Sequence, residues 1–203
     1  MSGWRAGGRA AGLAVGLLAA LPAYHLTAQF RISLGARHTS TLVRDSIVTP
    51  FTVRPALAPA VAVSFTVADR EPWRAYGSAD ISFSQLKRHE SGRPTFDIQG
   101  LALLAFGAEL ERRIVRGLDA RLGLGGLVYL TDERGMFRLG AGGPRGFGAL
   151  GARYSPPFAD RIGLALDVRW DVHRFNTLAL KNAGFLEGRL VNRVTVAVSR
   201  RVP

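Results

Sequence analysis

Beyond Gln29 the chain alternates large apolar residues with small or polar ones at a period of two, the pattern of a β-strand whose two faces meet different surroundings. The clearest stretch sets Ile162, Leu164, Leu166, Val168, Trp170 and Val172 against Gly163, Ala165, Asp167, Arg169, Asp171 and His173. Another sets Leu118, Ala120, Leu122, Leu124, Val128 and Leu130 against Asp119, Arg121, Gly123, Gly125 and Thr131, with Leu127 and Tyr129 blurring the polar face. Ile98, Ala102, Leu104, Phe106 and Leu110 oppose Asp97, Gln99 and Glu109, blurred in turn by Leu101 and Leu103. Ala79, Ile81 and Phe83 oppose Tyr76, Ser78, Asp80, Ser82 and Ser84. Shorter runs follow the same rule around Ile32, Val63, Leu150 and Val196, with Arg37, Ser64, Arg153 and Arg193 on their polar faces. Eight strands of roughly 9 to 13 residues are predicted.

The predicted connections alternate in length. Short ones fall at 68–73, 112–117 and 155–161, and longer ones at 39–54, 87–95, 132–146 and 174–188. Short turns at one end and long loops at the other describe an all-β, up-and-down antiparallel meander. An even strand number lets the last strand pair with the first and remove both edges.

The period is shared by a soluble, secreted lipocalin-like barrel with its apolar face inward, so composition has to place the faces. A solvated outer surface is dense in Lys and Glu. The polar faces here are Gly, Ser, Ala and Thr interrupted by Arg and Asp, which suits a crowded interior, while the apolar faces are continuous Leu, Val and Ile, as a lipid-facing band requires. Phe65, Trp73 and Tyr154 fall toward the short-turn rim and Phe83 and Trp170 toward the other, the placement of two interfacial aromatic girdles. Lipid offers no partners for backbone N–H and C=O groups, so strands can cross it only as a closed sheet. The inward positions then carry Arg37, Arg121, Arg153, Arg169 and Arg193 against Asp80, Asp97, Glu109, Asp119, Asp167 and Asp171. Buried charges persist when paired, so a network is expected, with Asp167 and Asp171 against Arg169 and Arg193, and Glu109 and Asp119 against Arg121.

Residues 1–28 have a different pattern: Arg5 and Arg9, an uncharged run from Ala10 to Leu21, Pro22, and Leu26-Thr27-Ala28. This is the form of a cleavable secretory signal peptide, too short in its apolar part to span a bilayer. It predicts export, a mature barrel domain at 29–203, and cleavage after Ala28 with Ala23 as the alternative. The 203 residues contain no cysteine, which excludes a disulfide framework and thiolate chemistry. Only Lys87 and Lys181 are lysines, leaving 25 of the 27 cations as arginine, the residue suited to fixed bidentate pairing. The net charge of +12 is spread along the whole chain, unlike the clustered patch of a nucleic-acid binder.

In this architecture the segment from Phe30 to Arg201 resembles the eight-stranded outer-membrane β-barrel family, of the outer membrane protein A transmembrane domain and outer membrane protein X type. The resemblance implies a transmembrane barrel in the outer membrane of a Gram-negative envelope, in contact with outer-membrane lipids. Members usually end in an aromatic residue, and this chain ends Arg200-Arg201-Val202-Pro203. A monomer with a structural or cell-surface role and a lumen plugged by its Arg/Asp pairs is expected, since eight strands enclose little more than their own side chains. A narrow pore is the nearest alternative.

Catalytic signals are thin. His38-Thr39-Ser40 resembles the His-x-Ser element of outer-membrane lipid A deacylases, which would make Ser40 a nucleophile and His38 its base. No carboxylate is placed by sequence to orient His38, and a solvated loop histidine is expected instead, so no enzymatic activity is predicted. His173 beside Asp171, and His89-Glu90, are too few ligands for a metal, and no cofactor is expected. The glycine cluster Gly140-Ala141-Gly142-Gly143 lacks the strand-to-helix context of a phosphate-binding turn and reads as a loop. The long loops carry Arg44, Arg54, Lys87, Arg88, Arg93, Arg134, Arg138, Arg145, Arg174 and Lys181 against Asp45, Glu90, Asp132, Glu133 and Glu187. Such a rim would attract lipopolysaccharide phosphates or anionic surface polymers.

Overall fold

The computed structural model describes residues 29–45, 50–185 and 187–202; the segment read as an export signal lies outside them. Eight strands form a closed antiparallel ring: β1 (Phe30–Thr39), β4 (Ala58–Arg70), β5 (Trp73–Glu90), β6 (Phe96–Val115), β7 (Leu118–Thr131), β8 (Arg145–Tyr154), β9 (Leu164–Phe175) and β10 (Arg189–Val202). Each pairs with its sequence neighbour, and β1 pairs with β10, from Phe30↔Val202 to Thr39↔Arg193. That closure satisfies the backbone polar groups all the way round and leaves no edge.

Two corrections concern the long-loop end. The stretch 39–54, read as a loop, contains a hairpin, β2 (Val43–Asp45) and β3 (Phe51–Pro55), and β3 pairs with the upper part of β5 from Phe51↔Glu90 to Pro55↔Leu86. The stretch 87–95 shrinks to the turn between β5 and β6, which run to 18 and 20 residues rather than 13 at most. These two strands rise above the ring, and the hairpin extends the sheet on one side as a canopy. On the other side the β6–β7 register starts only at Leu101↔Thr131, so Phe96–Gly100 have no strand partner toward β7. The last two loops carry a 3-10 turn, Gly135–Phe137, and a short helix, α2 (Leu178–Asn182); a four-residue helix, α1 (Pro157–Asp160), lies in the short-turn end between β8 and β9.

Tight closure shows in the glycines. Gly107 and Gly125 face each other across β6 and β7, and a Cβ on Gly125 would stand 2.2 Å from the Phe106 carbonyl oxygen and 2.7 Å from the Gly107 Cα. Backbones this close admit no side chain. On the outer face, the Phe65 ring covers its cross-strand partner Gly77 and the Phe106 ring covers Gly126, shielding backbone that glycine leaves bare.

Alternation sends Ile32, Leu34, Val61, Val63, Leu104, Phe106, Leu122, Leu124, Leu150, Leu166, Val168, Val196 and Val198 to the outside, where Leu124 is 70% exposed. Every barrel strand contributes to this band. A soluble monomer rarely exposes an apolar patch beyond about 300–600 Å². An apolar circumference around a charged interior is the inverse of a soluble barrel and matches a surface solvated by acyl chains.

Candidate functional site

The interior has two layers. The lower layer is ionic and runs from Glu111 near the short turns up to Arg37, Asp171 and Arg193 at the height of Trp170. Arg37 donates from Nη1 to Asp80 Oδ1 at 2.5 Å and to Ser82 Oγ at 3.3 Å, and from Nε to Thr195 Oγ1 at 2.8 Å. Arg169 Nη1 reaches Asp80 Oδ2 at 3.6 Å and donates to Glu109 Oε1 at 3.0 Å. Glu109 also accepts from Arg121 Nη2, whose Nη1 donates to Asp167 Oδ1 at 2.9 Å. Arg153 pairs with Asp167 at 2.8 Å and with Glu111. Arg193 donates from Nε to Asp171 Oδ1 at 2.5 Å, and Asp171 lies 3.7 Å from Arg169 Nε. The chain of contacts is unbroken from Arg37 to Glu111, and it joins seven guanidinium groups (Arg31, Arg37, Arg74, Arg121, Arg153, Arg169, Arg193) to five buried carboxylates (Asp80, Glu109, Glu111, Asp167, Asp171).

Of the residues expected inside, Asp97 is misplaced. It is exposed above the ring and pairs with Lys87 at 3.5 Å. A bulge between Leu86 and Lys87 and the missing β7 partner at this height take Asp97 out of the barrel. The pairing also differs in detail: Asp119, expected against Arg121, pairs with Arg113 at 3.3 Å at the lower rim, and Asp167 is served by Arg121 and Arg153. Glu111 is the group that sequence reasoning missed. It is 1% exposed, accepts from Tyr76 Oη at 3.1 Å, and has Arg74 at 3.6 Å and Arg31 and Arg121 at 3.9 Å besides Arg153. Its parity with Glu109 was the available signal.

The upper layer is apolar. Leu42, Leu86, Leu101, Leu103, Leu127, Tyr129, Phe147, Phe175 and Val191 point inward and pack with Phe137, which the 3-10 turn folds down into the mouth. Phe137 lies 6.2 Å from Tyr129 and 5.9 Å from Phe175, ring centre to ring centre. Phe147 separates the layers, with the Arg169 and Arg193 guanidinium groups 5.1 and 5.6 Å from its ring, within cation–π range. Tyr129 Oη lies 2.6 Å from His173 Nε2, so that histidine is held in the upper layer rather than beside Asp171. The loops above are tied together: Thr177 Oγ1 donates to the Met136 carbonyl at 2.5 Å while capping α2. Arg145, expected in the basic rim, is drawn down between the Tyr129 and Phe175 rings and donates to the Asn176 carbonyl at 2.7 Å.

The outward aromatics fall at two heights. Trp73 begins β5, Tyr154 ends β8, and Phe65 pairs with Phe30 at the start of β1. Trp170 is linked through Val194 to His38, next to the end of β1, and Phe83 through Ala102 to Leu130, next to the end of β7. From Trp73 to Phe83 are ten residue steps on β5, about 33 Å along the strand at ~3.3 Å per residue; a tilt of ~40° projects this to about 25 Å, the height of an outer-membrane barrel's apolar band. His38 is exposed on the outer face, and Ser40 Oγ accepts from the Asn192 backbone N–H at 3.0 Å.

An apolar circumference, aromatic belts and a closed ring of tilted strands define the class: an eight-stranded transmembrane β-barrel of the outer-membrane type. No protein-family model matches the chain, and no curated protein matches its sequence. Among solved structures, it is similar to Ail, the attachment invasion locus protein of Yersinia pestis, in complex with the heparin analogue sucrose octasulfate, at 12% identity over 86% of this chain and 99% of that one, with a TM-score of 0.50. Similarity extends to the outer membrane protein OprG from Pseudomonas aeruginosa, at 13% identity over 88% of this chain and 97% of that one, with a TM-score of 0.48. At such identities the likeness is one of fold.

Proposed function

We propose that the chain is exported by residues 1–28 and acts in the outer membrane as a monomeric, non-conducting and non-enzymatic barrel with a structural or cell-surface role. The observation that carries this reading is the doubly filled lumen: a layer of interlinked ion pairs lies beneath an apolar layer sealed by Phe137. Ions would have to break both to pass. Phe65, Trp73, Phe83, Tyr154 and Trp170 set its height in the bilayer. Membrane fractionation with heat-modifiable gel mobility tests the barrel, and single-channel recording in planar bilayers tests the plug. A soluble protein of unchanged mobility, or steady conductance, rejects the respective claim.

A surface-interaction role is favoured by charge. Arg54, Arg134, Arg138 and Arg174 are exposed around the long-loop end and form no ion pair among the described residues. They suit lipopolysaccharide phosphates or sulfated polymers; Ail is seen with the heparin analogue sucrose octasulfate. Retention of folded protein on heparin, lost at moderate salt and in the quadruple Arg→Gln variant of these positions, supports it; flow-through at low salt rejects it.

A further inference from the structure

Between the canopy and the loops above the mouth lies a cavity of about 300 Å³. Its walls are Val53 and Leu86 of the canopy, Ile98 of β6, Met136 of the 3-10 turn, and Leu180 and Phe185 of the last loop. This is the lower end of the range for small-molecule sites, and the charge around it is one-sided. Arg88 lines the cavity with its guanidinium 4.3 Å from the Phe51 ring centre, donates through Nη2 toward Glu90 at 2.6 Å, and has a buried Nε with no hydrogen-bond partner among the described residues. Glu90 is shared with Arg93 at 3.1 Å, so two guanidinium groups stand against one carboxylate. Lys87 and Asp97 beside them cancel. On this side Phe96–Gly100 of β6 have no strand partner toward β7 among the described residues, and the lining residue Ile98 is 40% exposed.

We propose that this cavity binds a single-chain amphiphile with an anionic head, a medium-chain carboxylate whose tail lies between Leu86 and Leu180 and whose head meets Arg88. An apolar wall alone would take any hydrocarbon; the second guanidinium on Glu90 leaves one positive charge in excess, and with the open Arg88 Nε it selects a head group of negative charge. Size limits the tail. A cavity of about 150 Å³ holds one benzene ring, so twice that volume holds a chain of about ten to twelve carbons, and a two-chain lipid is excluded. The site shares Leu86 with the upper layer of the plug, but its test reads ligand binding, which can fail or succeed whether or not the barrel conducts.

The sequence has two methionines, and Met136 is the one in the barrel, so a ¹³Cε-methionine label on the full chain in nanodiscs reports directly from the cavity wall. Titration with decanoate should shift the Met136 signal saturably. Arg88→Gln should weaken decanoate about tenfold and leave 1-decanol unchanged, and Leu180→Trp, which fills the cavity, should abolish both responses. Val53→Trp serves if Leu180→Trp loses heat-modifiable mobility. A shift that grows linearly with bilayer loading, persists in the filled variant, or weakens equally for decanol in Arg88→Gln overturns the proposal.

Discussion

Glu111 is the interior group whose removal tests the ionic layer most directly. Replacing it by Gln preserves shape and the contact to Tyr76 while removing one of the five carboxylates that seven guanidinium groups share. Breaking a buried ion pair costs about 3–5 kcal/mol because it leaves an uncompensated charge. The lower figure applies here, since Arg153 keeps Asp167 at 2.8 Å and Arg121 keeps Glu109 and Asp167. A loss of about 3 kcal/mol is a factor of about 150 in the folding equilibrium, and with a slope of about 3 kcal/mol/M it moves a urea midpoint by about 1 M. Arg31 has Glu111 as its ion partner, at 3.9 Å, with Arg31 6% exposed. The double variant Glu111→Gln/Arg31→Met, which removes the guanidinium left without its ion partner, should therefore recover most of the loss. Reversible urea folding in lipid vesicles, followed by the fluorescence of the outward Trp73 and Trp170, reads both. A single-variant change below about 0.5 kcal/mol would mean that the interior is solvated well enough to screen a lone guanidinium, and the plug would lose its basis.

Other positions separate competing terms. Leu124→Arg, on the outer face midway up β7, should destabilise by about 2–4 kcal/mol in bilayers; a neutral result in the same titration would place that face in water. Asp97→Asn should change stability by less than about 1 kcal/mol, because the pair with Lys87 is exposed, and a loss as large as that of Glu111→Gln would return Asp97 to the interior network. Gly125→Ala should cost about 1–3 kcal/mol, since its Cβ would meet backbone at 2.2 Å, and an unchanged urea midpoint would show that β6 and β7 can part without penalty.

The sequence carries the ring and the sense of its faces because both follow from a period of two and from which face is greasy. It carries less at the ends of the strands, where alternation stops being informative. Ending the fourth barrel strand at Leu110 hid Glu111, although 109 and 111 share parity and 111 had to face inward with it. Extending the same parity upward to Asp97 failed for the opposite reason: a bulge and the end of β7 remove the wall that would have enclosed it. Leu101, Leu103, Leu127 and Tyr129, which blurred the polar faces, were themselves the record of the apolar upper layer. Phe137 and Phe175 could not be placed without knowing that the loops fold down over the mouth, a contact set by tertiary packing.

The order of the two layers follows from what each can tolerate. Charged side chains need partners on several sides, and the regular part of the closed ring supplies them, because it brings Arg and Asp or Glu from seven barrel strands within reach of one another. Higher up, β5 and β6 outrun their neighbours and the ring loses its regular wall, so long-range pairing geometry can no longer be held. Apolar contacts are not directional, and loop residues such as Phe137 can complete them from above. The upper layer then shields the ion pairs from water on that side, which strengthens them, and the ion pairs beneath fill the rest of the lumen. Opening either layer alone leaves the other in the path, so Phe137→Ala by itself should remain silent in single-channel recordings, and conductance should need Phe137→Ala combined with Asp171→Asn. Conductance from Phe137→Ala alone would show that the ionic layer is no barrier.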